Sequence, residues 1–105
     1  MKEATPELSP DLEWMLQGRQ ASQALILETM VHEYANEVTR LTASILGNPS
    51  LALYAAFDTF AAVLENRHRY YGKSSVRLFI YSYAIEVSQR YLAEARAAAP
   101  AQRFA

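Results

Sequence analysis

The side chains able to do chemistry are few, and most of them fall in one stretch. Asn66 to Ser74, NRHRYYGKS, is the only segment dense in both positive charge and aromatic rings. Cations that can meet phosphates beside rings that can stack on bases are what single-stranded nucleic acid requires. The same composition also describes an exposed connecting loop with Tyr70 or Tyr71 tucked beneath it. Outside this stretch His32 lies among glutamates on the polar side of a helical pattern, with no second His or Cys at ligand spacing. Zinc and iron sites need three or four clustered ligands, so no metal is expected. The chain has no cysteine, which removes disulfide and thiolate chemistry and suits a reducing compartment. No Gly-rich phosphate loop and no pairing of nucleophile and base is visible among the scattered carboxylates, so neither an enzyme nor a cofactor is expected.

The elements that must position these groups are organised around Asn48 to Asn66, NPSLALYAAFDTFAAVLEN. Between Pro49 and Leu64 only Ser50, Asp58 and Thr59 are clearly polar. Gly47 ends the preceding element, Asn48 can cap, and Pro49 suits a first helical position because its missing N–H would be unsatisfied there anyway. Leu53, Phe57, Phe60, Ala61 and Leu64 form one stripe at helical spacing. Leu51, Tyr54, Ala55, Asp58 and Ala62 make up most of the other side. A helix apolar on both sides needs two coverings. The first stripe is expected to enter the domain core, and the second to meet another helix of the chain or a partner protein.

Helices are expected near 10–18, 22–46, 49–66 and 75–96. Ser9-Pro10-Asp11 opens the first, whose apolar edge is Leu12, Met15 and Leu16, with Trp14 expected to pack. The second repeats Leu27, Met30/Val31, Tyr34, Val38, Leu41 and Ile45. Ser74 or Ser75 caps the last, which carries the stripe Val76, Phe79/Ile80, Tyr83, Val87, Tyr91 and a second stripe of Leu78, Tyr81, Ile85 and Leu92. Pro100 is expected to end it. The expected core comprises Phe57, Phe60, Leu64, Tyr34, Val38, Leu41, Phe79 and Tyr83.

At 105 residues, 51% of them apolar, the chain fits one domain with a single core and an all-α bundle of about four helices. Residues 1–8 read as a lead-in, 9–96 as the domain and 97–105 as a tail or linker. Residues 1–20 are acidic and lack the apolar centre of a signal peptide, and no apolar run reaches membrane-spanning length, so a soluble cytoplasmic protein is expected. The net charge of −1 is unevenly distributed: residues 1–40 carry net −4 and residues 65–90 net +3.

From His32 to Ala84 the sequence HEYANEVTRLTASILGNPSLALYAAFDTFAAVLENRHRYYGKSSVRLFIYSYA is similar to region 2 of the bacterial sigma-70 family, especially the compact extracytoplasmic-function type. The similarity runs without gaps from Tyr34 to Leu92. It includes Tyr34-Ala35, the ILGNP turn where the family usually has LLGDP, Phe60, and GKSSVRLFIYSYA, which resembles the family's GESSFRTWLYRIA. Gly72, Ser74, Ser75, Arg77 and Tyr81 match that last motif, and Phe79 replaces the usual tryptophan. Leu12 to Gly18 resembles the family's short first helix.

The resemblance implies a helical domain whose central helix docks on the clamp helices of the RNA polymerase β′ subunit, while the loop and last helix open and read the promoter −10 element. The implied partner-binding residues are Leu51, Tyr54, Ala55, Asp58 and Ala62. The implied DNA-binding residues are Arg67, Arg69, Tyr70, Lys73, Ser74, Ser75, Arg77 and Tyr81. The family's docking pattern DAEDVVQETF reads LALYAAFDTF here: Asp58 keeps its charge, while Leu51, Tyr54 and Phe57 replace two acids and the glutamine. Ser82 and Glu86 stand where the family tends to place a basic and a polar residue. Two functions therefore stay open. One is a sigma-like transcription-initiation domain that binds polymerase and promoter DNA. The other is a sigma-like fold used as a protein-interaction module without DNA reading, holding an anti-sigma-like protein, another regulator or a second copy of itself.

Overall fold

A computed structural model describes residues 10–18, 21–70, 72 and 75–103. These form four α-helices, α1 (Pro10–Gln17), α2 (Gln23–Leu46), α3 (Pro49–Glu65) and α4 (Val76–Arg103), with a 3₁₀ turn at Arg67–Arg69. The fold is an all-α bundle, and no strand occurs among the described residues. None of the helices is long and apolar enough to cross a membrane.

Local chemistry sets the helix ends. The Ser22 hydroxyl accepts the Leu25 N–H at 3.1 Å and starts α2. Gly47 stops it with φ 67°, a left-handed conformation that glycine adopts at no steric cost, and its N–H donates to the Ala43 carbonyl at 2.8 Å. One residue later Asn48 Oδ1 accepts the Leu51 N–H at 3.1 Å and Pro49 opens α3. A two-residue link leaves α3 little choice but to fold back along α2. Inside that crossing the Thr42 hydroxyl donates to the Ala52 carbonyl at 2.9 Å, so the two helices are joined by a buried hydrogen bond as well as by packing. Ser75 Oγ accepts the Leu78 N–H at 3.0 Å and caps α4.

The core is built from Ile26, Met30, Tyr34 and Val38 of α2, Phe60 and Val63 of α3, Val76, Ile80 and Ala84 of α4, and Leu12 and Leu16 of α1. Tyr34, Val38 and Phe60 are buried as expected, and Leu41, Leu64, Phe79 and Tyr83 are partly buried against the same cluster. Several expectations are corrected. The buried line of α2 is Ile26, Met30, Tyr34, Val38 and Thr42, which leaves Leu27 outside. Trp14 is exposed rather than packed. α4 does not end before Pro100 but runs to Arg103; its last stretch is rich in alanine, the best helix former, which offsets the one N–H that proline lacks. The largest correction concerns α3. Its inward face is Ala52, Ala55, Ala56, Thr59, Phe60 and Val63, whereas Leu53 and Phe57 point to solvent. The helices on this side approach largely through small side chains, Ala52, Ala55, Ala56 and Thr59.

Candidate docking face and basic loop

Turning α3 so that its alanines face inward leaves its bulky apolar residues outside. Leu53 is 51% exposed, Tyr54 65% and Phe57 58%, with Leu51 beside them at the start of the helix. Large side chains so exposed on one helix face make a continuous apolar patch of the kind that marks interaction sites. Asp58 lies at its margin. Its carboxylate accepts the Tyr91 hydroxyl at 2.5 Å, and that bond pushes the Tyr91 pKa up to about 12. On the opposite side Leu53 borders a shallow groove lined by Ala35, Asn36, Thr39, Arg40 and Ala43 of α2.

Of the expected partner-binding residues, Leu51, Tyr54 and Asp58 are exposed on this face. Ala62 is half-buried. Ala55 is fully buried, a correction: it lies with Ala52, Ala56 and Thr59 in the helix crossing and cannot touch a partner. Leu53 and Phe57, assigned to the core by hydrophobicity, are the residues that sequence reasoning missed. The signal was present in the small residues Ala52, Ala55, Ala56 and Thr59, whose i, i+3, i+4, i+7 spacing marks the face along which backbones come close.

The basic stretch is less open than its composition suggests. Arg67 donates through Nη1 to the Leu64 carbonyl at 2.6 Å, closing the end of α3, while His68 and Arg69 are exposed. Tyr70 is only 5% exposed, and its ring lies 5.2 Å from that of Phe79, tilted by 56°. Burial, with the nearby Glu13 carboxylate, raises its pKa. The expectation that Tyr70 stacks on a base is therefore corrected for this conformation, because its ring already packs inside the domain. Lys73 and Ser74 lie outside the described residues. Ser75 is committed to the cap of α4. Gly72 has φ 80°, and a side chain there would collide with Gln17 Nε2 of α1, so the loop rests against the first helix.

Arg77 and Tyr81 are brought together on the first turns of α4, where both meet Glu37 of α2. The Arg77 guanidinium donates from Nε to Glu37 Oε1 at 2.8 Å and from Nη2 to Oε2 at 2.9 Å. The Tyr81 hydroxyl donates to Oε1 at 2.7 Å. Arg77 Cζ also stands 5.4 Å from the centre of the Tyr34 ring, a cation–π distance. The Arg77 bonds, helped by Tyr81, hold the Glu37 carboxyl at a pKa of about 2 against the partial burial that would raise it, and the same pair raises the pKa of Arg77. Tyr81 is raised as well, chiefly because its proton is shared with Glu37. Among the described residues no three His, Asp or Glu side chains converge as a metal site would require.

The face and the loop thus divide their chemistry. The first is apolar and open; in the second, Tyr70 and Arg67 are already held within the domain while Arg69 is exposed. Compared with known protein families, with characterised proteins and with solved structures, the chain matches none.

Proposed function

We propose that the chain is a sigma-like transcription-initiation domain, a binding domain and not an enzyme, that works in the cytoplasm and docks on the clamp helices of the RNA polymerase β′ subunit through the exposed face of α3. The observation that carries this reading is a match of register. In the family's docking pattern DAEDVVQETF the four acids and the glutamine fall on positions 51, 53, 54, 57 and 58 of this chain. Those five are exposed, and positions 52, 55, 56, 59 and 60 are buried. A helix presented with the family's own inside and outside is suited to the family's use of it.

What differs is the chemistry of the outside. Leu51, Leu53, Tyr54 and Phe57 stand where the pattern places acids and a glutamine, so the contact depends on burying apolar surface and should be comparatively insensitive to salt. The exposed Arg69 and the loop would then meet promoter DNA. The second reading, a protein-interaction module without DNA reading, is favoured by one observation: the donors of Arg77 and Tyr81 are already bonded to the Glu37 carboxylate.

The test is retention of the domain by core RNA polymerase. The parent should be retained, and Tyr54→Asp with Phe57→Asp should abolish retention while leaving the helical circular dichroism unchanged. A parent that core polymerase does not retain, but that self-associates or holds another protein through the same two residues, would replace this reading with the second.

A further inference from the structure

Arg77 presents a planar fork of donors, the geometry that pairs bidentately with a carboxylate or a phosphate. Glu37 fills that fork with both of its oxygens, and Tyr81 adds a third bond to the same carboxylate. Chemically, Oε1 and Oε2 stand in for two non-bridging oxygens of a phosphodiester. The pair is not entombed: the side chains of Arg77 and Glu37 remain 42% and 29% exposed, so an outside anion can reach the guanidinium. The Tyr34 ring holds the cation in place whichever anion occupies the fork.

We propose that Glu37 is a built-in competitor that occupies a phosphate site made by Arg77 and Tyr81, and that single-stranded DNA must displace it to engage this part of the domain. The proposal rests on the DNA-reading half of the function above. The two anions are mutually exclusive at the fork. A carboxylate attached to α2 is always at hand, whereas a phosphate must arrive from solution. The bound state of Glu37 therefore sets a threshold for DNA engagement and ties α4 to α2 until that threshold is passed.

The experiment measures binding of a fluorescein-labelled single-stranded −10-like oligonucleotide, and of a scrambled one of equal length, across a series of salt concentrations. The variants are the parent, Glu37→Gln, and Glu37→Gln with Arg77→Gln. Glutamine keeps the shape of Glu37 but removes the charge that competes. Glu37→Gln should bind both oligonucleotides roughly three- to ten-fold tighter at low salt, a modest gain because the site is partly exposed and screened. The gain should be equal for the two sequences, since a phosphate carries no base identity. One added phosphate contact should steepen the dependence of log K on log salt by about 0.7. The second substitution, Arg77→Gln, should abolish both effects, and circular dichroism melts would establish that each variant is folded. Equal binding by the parent and Glu37→Gln would overturn the competitor role while leaving DNA reading intact. Absence of binding by every folded variant at low salt would overturn both, in favour of the protein-interaction module.

Discussion

Phe57 and Phe60 lie three residues apart on one helix, and substituting each by alanine separates the face of α3 that folds the domain from the face that docks. Phe60 is 2% exposed within the core cluster, so truncation removes a buried ring and leaves a cavity. Such changes cost about 3–5 kcal/mol. Phe57 is 58% exposed. If full burial of a phenylalanine contributes about 1.5–3 kcal/mol, its covered two-fifths contribute roughly 1 kcal/mol, and no cavity forms because water fills the place of the ring. Alanine also favours the helix over phenylalanine by roughly 0.5 kcal/mol. The net loss at Phe57 should therefore stay below about 0.7 kcal/mol. Urea unfolding followed by circular dichroism measures both. With about 4–8 °C of melting temperature per kcal/mol, Phe60→Ala should melt at least roughly 12 °C lower, and Phe60→Leu gives a milder comparison if the alanine variant is unfolded. Equal losses at the two positions would refute the rotation of α3 and with it the exposed patch.

Two further outcomes follow from buried and half-buried polar groups. Glu37 has its carboxyl lowered from the ordinary 4.5 to about 2 in the folded state, so it stabilises the fold above pH 4.5 and the contribution is lost as pH falls towards 2. Taken whole, the shift would amount to about 3.4 kcal/mol, which screening at a partly exposed pair reduces to about 1 kcal/mol. The charged groups facing it are Arg77 and Arg40, and the neutral Tyr81 hydroxyl donates to it. Denaturant titrations of the parent and Glu37→Gln should differ by that amount at pH 6 and converge only below about pH 2; a pH-independent difference would contradict the linkage. Ser88 is fully buried and its hydroxyl has no hydrogen-bond partner among the described residues. Ser88→Ala should stabilise by about 1–2 kcal/mol, and a lower urea midpoint would show that the hydroxyl is satisfied.

The parts of this structure that local chemistry decides are readable from the sequence. Ser22, Gly47, Asn48, Pro49 and Ser75 mark helix ends by their own hydrogen-bonding and backbone preferences, and the observed boundaries of α2 and α3 follow them. The orientation of α3 is not local. Hydrophobicity alone puts Phe57 inside and is indifferent to Ala55, but close helix approach reverses that order by selecting side-chain size. The environment of the loop is likewise tertiary: Tyr70 is buried because Phe79, nine positions later, comes to lie beside it. Glu37 and Arg77 are separated by 40 residues, and nothing in either segment announces the pair. Composition therefore overstated the free charge at Arg67 and the free aromatic surface at Tyr70.

The inward side of α3 consists mostly of alanine and threonine, and the heavy side chains stand outside. A change at Leu53, Tyr54 or Phe57 thus costs the fold little, while a change at Ala52, Ala55 or Ala56 has almost no acceptable outcome except glycine or serine. Such a division lets mutation explore the outer face without passing through unfolded intermediates. Under selection, the binding preference of this helix can drift from charged to apolar one residue at a time, and the scaffold that carries it stays the same.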